Sequence, residues 1–544
     1  MTIQIDRRAL LVTAGFGLGG LIMPGGSLAA QALVAAKGFT HNVASGEPGS
    51  DSVLLWTRFV PNSRGPATVS VEVSDTADFR KIATGGVMTT GPWRDYTVKI
   101  TVDGLTPGGG WYYRFIGPDG SKSPVGRTKT LPVGKVSKFN IAVFSCSNLG
   151  FGYFNAYAHA AARGDLDLAI HTGDYIYEYG RGGYDTGAAD ARSLMIEPAD
   201  EILNLADYRL RYAAYRSDPD LQALHQNVAM IANTDDHEGA NDSWEGGAQN
   251  HQPDEGDWTN RKNAAMQVWR EWLPVGEQPW KSYEIGDLAT YFRTDTRMVA
   301  RSRPSTWAEV QRGDIPAALK AFKDGPWQDP AATMMGTEQE SWLAHAFASH
   351  ARARKTWALL GVGTNIGYNS TPKEALDWLA PDADPRSKSY INTGIAATNA
   401  GLPYNLDNWG GYPAAKARLL KSAQAADVNL VAVTGDSHNG WAFDLAQSGK
   451  PVGVEFGGHS VTSPGFEQAF SKTDPKIIAR ALVANSNELK WTDTSNRGYM
   501  LVSLSPEAAS SEWVFMNSVK TRTVATKPSY KAKTRPGRCV LELG

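Results

Sequence analysis

Two patterns of hydrophobic and polar residues divide the chain. Between about residues 39 and 131, short segments alternate apolar and polar residues and are separated by Gly, Pro and Asp, as in antiparallel strands joined by tight turns. These segments include SVLLWTRFV, TVSVEVSD, DYTVKITVDGL and GWYYRFIG. Further along, continuous apolar runs alternate with helical patterns, which is typical of layered α/β folds. The sequence therefore predicts an N-terminal antiparallel β-sandwich over residues 33–134, then an α/β domain of two packed sheets flanked by helices over residues 135–519.

Four of the continuous apolar runs end abruptly in residues that bind metal ions. They are FNIAVFSCSN, LDLAIHTGDYIYE, VAMIANTDDHE and VNLVAVTGDSHNGW. In open α/β sheets, ligands bind in the crevice beyond the carboxyl ends of the strands. The side chains expected there are Cys146, Asp174, Tyr177, Asp235, Asp236, His237, Asp436 and His438. The pattern predicts a metal-dependent enzyme.

The segment GDYIYE at residues 173–178 carries the most specific metal chemistry. An aspartate at a strand end can bridge two metal ions through its two oxygens, and the phenolate of Tyr177 is a hard anionic ligand suited to Fe³⁺. Asp436 and His438 are two residues apart, so in extended backbone their side chains point the same way. The structural alternative is that Asp174 caps a helix and Tyr177 packs against one.

The charge balance gives no reason to expect a polyanionic partner. The 544 residues include 54 Lys and Arg against 56 Asp and Glu, a formal net charge of −2. No basic stripe with interleaved aromatic residues occurs outside the C-terminal segment. The glycine-rich run GFGLGG at residues 15–20 follows no predicted strand. We therefore expect no nucleic-acid-binding module and no dinucleotide cofactor.

The first 32 residues resemble an export signal. Arg7 and Arg8 precede a mildly apolar, glycine-rich stretch, and small-residue cleavage sites follow it. The paired arginines resemble a twin-arginine signal; a Sec-type signal or a surface tail is the alternative. No other run approaches the roughly 18 apolar residues of a membrane span. We expect a periplasmic or secreted protein without a transmembrane segment, and a monomer.

The two cysteines and the C-terminal segment each allow two interpretations. In an exported protein Cys146 and Cys539 could form a disulfide, but Cys146 follows an apolar strand, where a thiolate could bind a metal. We therefore favour a metal ligand. Residues 520–544 form a basic tail, with seven basic residues and no acidic one between Lys520 and Arg538. We expect it to be solvated or loosely packed; a lid over an anionic ligand is the alternative.

Taken together, these segments resemble the PhoD-like alkaline phosphatase and phosphodiesterase family, within the calcineurin-like and purple-acid-phosphatase-like metallophosphoesterases. The matching pieces cover nearly the whole chain after the export signal. Besides the four strand ends, they are VASGEP with SVLLWTR, RTDTR at 293–297, DNWGGYPAAKARLL at 407–420, EFGGHSVTSPG at 455–465 and RGYMLVSLSP at 497–506. The resemblance implies the four-layer fold of that superfamily.

The resemblance also implies a set of ligands, cofactors and roles. An Fe³⁺ ion would be bound by Cys146, Asp174, Tyr177 and His438. Asp174 would bridge to Ca²⁺, completed by Asp236 and Asp436, since Ca²⁺ prefers oxygen ligands. Asp235 and Asn241 are weaker candidates, for a further Ca²⁺ or for positioning. His237 would donate a hydrogen bond to phosphate or protonate the leaving oxygen; alternatively it only orients a carboxylate.

The implied activity is hydrolysis of phosphate monoesters or diesters, small or polymeric, by a metal-activated water. A phospholipase D-like or teichoic-acid-type phosphodiesterase is the nearest alternative. An alternative of another class is a binding protein in which the metals are structural and the β-sandwich holds a cell-surface polymer. The aromatic residue often found before Asp-Asp-His-Glu in the family is Thr234 here, which affects local packing rather than the ligands.

Overall fold

The computed structural model describes residues 28–186, 190–310 and 314–544. The predicted export signal therefore lies mostly outside the described residues, and only its end is present, in helix α1. The helices are α1 (Leu28–Ala35), α2 (Asn155–Ala161), α3 (Leu205–Arg216), α4 (Pro219–Asn227), α5 (Trp258–Trp272), α6 (Trp307–Val310), α7 (Ile315–Asp324), α8 (Gly336–Arg352), α9 (Pro385–Asn399), α10 (Pro413–Ala425), α11 (Phe466–Ala469) and α12 (Pro475–Ala484). Within the described ranges, no helix is both long enough and apolar enough to cross a membrane.

The strands form three sheets. They are β1 (Gly38–Gly46), β2 (Val53–Val60), β3 (Ala67–Ser74), β4 (Thr84–Thr90), β5 (Thr97–Val102), β6 (Gly110–Ile116), β7 (Gly126–Lys129), β8 (Phe139–Phe144), β9 (Leu168–His171), β10 (Met230–Ala232), β11 (Lys281–Ile285), β12 (Ala289–Arg293), β13 (Trp357–Gly361), β14 (Leu430–Thr434), β15 (Gly440–Gln447), β16 (Lys450–Gly457), β17 (Leu489–Asp493), β18 (Gly498–Leu504), β19 (Ala509–Phe515), β20 (Tyr530–Thr534) and β21 (Glu542–Leu543).

The two large sheets pack face to face, with helices on their outer faces. The ten-stranded sheet has the order β21-β20-β19-β18-β8-β9-β10-β1-β2-β5, and the seven-stranded sheet β11-β12-β13-β14-β16-β15-β17. Their central strands are buried on both faces. In β13, Leu359 lies in the core between the sheets, whereas Ala358 and Leu360 lie in the outer core with helices α8 and α10. This explains why such strands are continuously apolar, and the predicted four-layer fold is confirmed.

The N-terminal β-sandwich shares one of its two sheets with the large α/β region. Strands β4-β3-β6-β7 form a separate antiparallel sheet. The facing strands β1, β2 and β5 extend the ten-stranded sheet, where β1 pairs in parallel with β10, Gly46 opposite Met230. Apolar residues from both layers fill the space between them. The N-terminal region is therefore continuous with the sheet that carries three of the four metal-binding strand ends.

The basic C-terminal segment is ordered, contrary to the expectation of a loosely packed tail. Strand β20 pairs with β19, and β21 with β20, at the edge of the ten-stranded sheet. Acidic residues of other elements pair with its basic side chains: Arg522 with Asp220 at 2.6 Å, and Lys531 with Glu512 of β19 at 3.2 Å. The expectation of loose packing was wrong because residues outside the segment pair with it, whereas most of its residues are solvent-exposed, as expected.

A buried ion pair joins the end of β1 to the seven-stranded sheet. The Glu47 carboxylate accepts hydrogen bonds from Arg293, from Lys281 at 2.9 Å and from Tyr283 Oη at 2.8 Å. Burial raises the pKa of Glu47, but the charges of Arg293 and Lys281 outweigh it and lower this pKa from 4.5 to about 2. The contribution of the Glu47 carboxylate to stability is therefore complete above pH 4.5 and is lost as the pH falls towards 2.

We expect Glu47→Gln to lower the free energy of unfolding by about 3–5 kcal/mol, because Arg293 would remain buried without its counter-charge. Denaturant unfolding at pH 7 measures the difference. The surface pair Lys320 and Asp324, with side chains 78% and 55% exposed, supplies the control, since Asp324→Asn should cost no more than about 1 kcal/mol. Equal effects of the two substitutions would contradict the prediction.

Candidate metal centre

The four metal-binding strand ends meet between the two large sheets. Strands β8, β9 and β10 are neighbours in the ten-stranded sheet, and β14 is central in the seven-stranded sheet. Cys146 follows β8, Asp174 follows β9, Asp236 follows β10 and Asp436 follows β14. Because β8, β9 and β10 are parallel, their carboxyl ends lie at one edge, and the end of β14 faces them. The predicted candidates therefore converge.

The converging side chains form three overlapping groups, each with its potential ligand atoms within 4.8 Å of one another. Asp174 belongs to all three and is buried. The groups are Cys146 with Asp174 and His438; Asp174 with Asp236 and His237; and Asp174 with Asp235, Asp236 and Asp436. Among the described residues, Asp174 is thus the one carboxylate shared by a sulfur- and nitrogen-containing half and an oxygen-only half.

Four of these residues have left-handed backbone conformations. The φ angles are +57° for Cys146, +55° for Asp174, +64° for Asp436 and +61° for His438. Non-glycine residues rarely adopt positive φ, and sparsely populated conformations can cost about 1–3 kcal/mol each. Each of the three strands therefore turns sharply after its last paired residue, which directs these side chains into the crevice.

The sulfur- and nitrogen-containing half also includes Tyr177. Its hydroxyl lies 3.2 Å from Asp174 Oδ2, 3.2 Å from His438 Nε2 and 2.8 Å from Ser463 Oγ. His438 Nδ1 lies 2.9 Å from the carbonyl oxygen of Pro464 and donates to it. This bond leaves His438 Nε2 as the nitrogen that faces Tyr177 and Asp174, and it orients the ring as protein metal sites require.

Both cysteines are free, so the alternative of a disulfide between Cys146 and Cys539 is wrong. Cys146 is buried, whereas Cys539 is partly exposed. Burial, together with the carboxylate of Asp174, raises the pKa of the Cys146 thiol well above its usual value. A thiolate at this position therefore requires a nearby positive charge.

The oxygen-only half is organised by Arg297. Its guanidinium donates from Nε to Asp235 Oδ1 at 2.7 Å, pairs with Asp407 and lies 3.8 Å from carboxylate oxygens of Asp236 and Asp436. The Arg297 side chain is fully buried. One cation thus holds several carboxylates in a fixed arrangement. Asp236 Oδ1 still has no hydrogen-bond partner among the described residues.

His237 forms a buried pair with Glu178. Its Nδ1 lies 2.6 Å from Glu178 Oε2, and the Glu178 side chain is fully buried. Burial opposes the charged imidazole, but the carboxylates of Glu178, Asp236 and Asp174 outweigh it and raise the pKa of His237 well above its usual value. The structure thus supports a protonated His237 beside the cluster, with Nδ1–H donated to Glu178.

Sequence reasoning assigned no role to Glu178, Glu238 or Arg297. Glu178 ends the GDYIYE segment and Arg297 ends RTDTR, so both were within quoted motifs, but neither motif indicates which distant group each residue binds. Glu238 accepts backbone N–H groups of Tyr175 and Asp235, both at 2.7 Å, and so ties two ligand loops together. No local sequence pattern predicts that one side chain accepts hydrogen bonds from two loops.

Asn241 lies four residues after His237 in the same loop. Its backbone N–H donates to Glu178 at 2.8 Å and its side-chain amide donates to Gln249 at 2.9 Å. Its contact with Glu178 links it to the His237 pair. That Asn241 also supplies a metal ligand stays a prediction.

Comparison with known proteins identifies the family. The family model of the PhoD-like phosphatases matches residues 141–513, and the model of their N-terminal domain matches residues 26–132. Alkaline phosphatase D of Bacillus subtilis (strain 168) is 30% identical over 526 residues, which cover 91% of this chain and 80% of that protein. A solved structure of PhoD is 27% identical and superposes with a TM-score of 0.75, covering 94% of this chain and 92% of that one. The resemblance found in the sequence is confirmed: the chain belongs to the PhoD-like phosphatase family and is a phosphoric ester hydrolase.

Proposed function

We propose that this chain hydrolyses phosphate monoesters and diesters at the four strand ends, with Fe³⁺ and Ca²⁺ as cofactors that Asp174 would help to hold. The observation that carries the proposal is that Asp174 is shared by all three ligand groups. A carboxylate has two oxygens, so one residue can contact two cations at once. Two cations beside one substrate phosphate are the usual arrangement for metal-assisted phosphoester hydrolysis.

The residues of the crevice fit bound cations. Burial and the carboxylates of Asp236 and Asp235 raise the pKa of Asp174 well above its usual value. Asp236 Oδ1 is buried without a hydrogen-bond partner. Buried, closely spaced carboxylates are unfavourable unless a positive charge neutralises them. Arg297 supplies one such charge, and cations would supply the remainder.

The donor types support different metals in the two halves. The Cys146 thiolate, the Tyr177 phenolate and the His438 imidazole would bind Fe³⁺ together with Asp174. Asp236 and Asp436 would complete an oxygen-only Ca²⁺ site. Asp235 already accepts a hydrogen bond from Arg297 and would offer a cation only its remaining lone pairs. When bound, such cations polarise a phosphoryl oxygen and lower the pKa of water.

His237 is proposed as the general acid. With Nδ1 donating to Glu178, the protonated ring carries a second proton at Nε2. That proton would hydrogen-bond a phosphate oxygen or move to the leaving oxygen. Glu178 would fix the orientation of the ring and hold it in the protonated form. The alternative, that His237 only orients a carboxylate, predicts a much smaller effect of its removal.

The proposed location is the periplasm or the exterior, reached through a twin-arginine-like signal in residues 1–32. Export of a folded protein would allow iron to bind before secretion.

The alternative of a polymer-binding protein with structural metals predicts no turnover. A chelator distinguishes the two, since activity lost with the fold retained indicates catalytic metals.

The test is elemental analysis and a visible spectrum of the purified protein. We expect roughly one iron per chain with calcium, and a charge-transfer band from thiolate and phenolate bound to Fe³⁺. Tyr177→Phe should remove the phenolate contribution to that band. A colourless, iron-free protein with full phosphatase activity would contradict the assignment of Cys146 and Tyr177.

A further inference from the structure

An apolar cavity of about 170 Å³ lies close to the segment that positions His438. Aromatic and aliphatic side chains form most of its wall: Trp378, Leu379, Tyr390, Ile391, Phe466 and Phe470. The Phe470 ring packs edge-on against Trp378, with ring centroids 5.4 Å apart, and Phe466 packs edge-on against Phe470 at 5.9 Å. The cavity is therefore built from aromatic rings on several separate segments of the chain.

One wall of this cavity is attached to a candidate metal ligand. The Phe466 backbone N–H donates to Asn439 Oδ1 at 3.1 Å, and Asn439 follows His438 in the chain. Pro464, two residues before Phe466, accepts from His438 Nδ1. The segment that orients His438 thus continues directly into the wall of the cavity.

Another wall of the cavity is formed by helix α9, through Tyr390 and Ile391. The Tyr390 ring packs edge-on against Tyr404, with ring centroids 4.9 Å apart. Tyr390 is also 57% exposed. It therefore lies where the cavity meets solvent.

The lining suits an uncharged, apolar group. Two hydroxyls of the lining already donate hydrogen bonds within the protein. Ser370 Oγ donates to the Asn485 carbonyl oxygen at 2.6 Å, and Ser387 Oγ donates to Asp384 at 2.7 Å. Apolar protein cavities of roughly 150 Å³ stay dry and bind benzene. The volume here matches an aromatic ring or an alkyl chain of about six carbons.

We propose that this cavity binds an alkyl or aryl group of a phosphate ester whose phosphate lies at the metal centre. The inference rests on the proposed function and adds a substrate class to it: esters with one apolar group of up to about six carbons. Burial of each additional methylene in such a cavity should strengthen transition-state binding until the cavity is full.

The test is a series of n-alkyl phosphates from ethyl to octyl, as monoesters and as methyl diesters, with glycerol 2-phosphate as a polar reference. In the wild-type protein we expect kcat/KM to rise by up to about four-fold per methylene and to level off near six carbons. Ala469→Phe adds a ring to an exposed residue of the cavity wall and should bring the plateau to shorter chains. Gln468→Phe, on the same helical turn but outside the wall, is the matched control and should leave the series unchanged.

Tyr390→Ala provides a second variant with little risk to folding, because this residue is largely exposed. It should weaken the dependence of kcat/KM on chain length. A flat chain-length series in the wild-type protein, or a series that Ala469→Phe leaves unaltered, would overturn the cavity assignment while the phosphatase function stood. Failure to hydrolyse any ester of the series would overturn the proposed function, and this inference with it.

Discussion

Replacing His237 with alanine is expected to lower kcat by roughly 10²–10⁴-fold, the usual contribution of general acid catalysis, while iron and calcium stay bound. The physical reason is the environment of the ring, in which three carboxylates raise the pKa of His237 and Glu178 orients it. The loss should be largest for alkyl esters, whose leaving oxygen requires a proton. It should be much smaller for p-nitrophenyl esters, whose leaving group is stable as an anion.

This dependence on the leaving group separates proton transfer from a structural role. A residue that only shapes the site would reduce turnover of both ester types equally. His345, exposed on α8, supplies the control, and His345→Ala should leave kinetics and metal content unchanged. Full retention of alkyl-ester hydrolysis by His237→Ala would disprove the role proposed for this residue.

The second large effect is expected for Asp174→Asn. Because Asp174 is shared by all three ligand groups, an amide at this position removes the negative charge between the two proposed cations. Both metals should be lost or greatly depleted. Loss of several kcal/mol of transition-state stabilisation should lower activity by at least about 10³-fold. Elemental analysis and phosphate release measure the two effects.

Asp235→Asn is the matched control, since Asp235 belongs to the oxygen-only group but not to the group that contains Cys146 and His438. It should retain iron and the visible band. Metal-free Asp174→Asn should also be no less stable than the metal-free wild type at neutral pH. The pKa of Asp174 is raised in the folded state, so ionisation of this carboxyl disfavours folding above its unfolded pKa. A variant that keeps both metals would contradict the bridging role.

Much of the fold was predictable because the burial of a strand determines the pattern of apolar residues within its own sequence. A strand covered on both faces must be apolar at consecutive positions, as in β13 and β14, and a strand covered on one face alternates, as in β3. The predicted C-terminal tail failed for the opposite reason. Strand β20 alternates lysines with Tyr530, Ala532 and Thr534, but its basic composition indicated a solvated tail. Pairing with β19, including the ion pair between Lys531 and Glu512, orders it.

The candidate site was predictable in part. Cys146, Asp174 and Asp436 stand directly after apolar strands, and the ends of neighbouring parallel strands necessarily meet. The remaining features depend on side chains that approach from elsewhere in the chain. Arg297 contacts carboxylates 62 and 110 residues away in sequence, and no spacing rule relates them.

The sequence by itself determined the sheet architecture, the family and the residues at the strand ends, because hydrophobic periodicity and strand-end chemistry are local properties of the chain. Only the tertiary structure decided which carboxylate is shared, that Glu178 holds His237, that Arg297 organises the acidic cluster, and that an apolar cavity lies close to the segment that positions His438. These features arise from packing between elements distant in sequence, where distances and burial, rather than residue type, set the charge of each group.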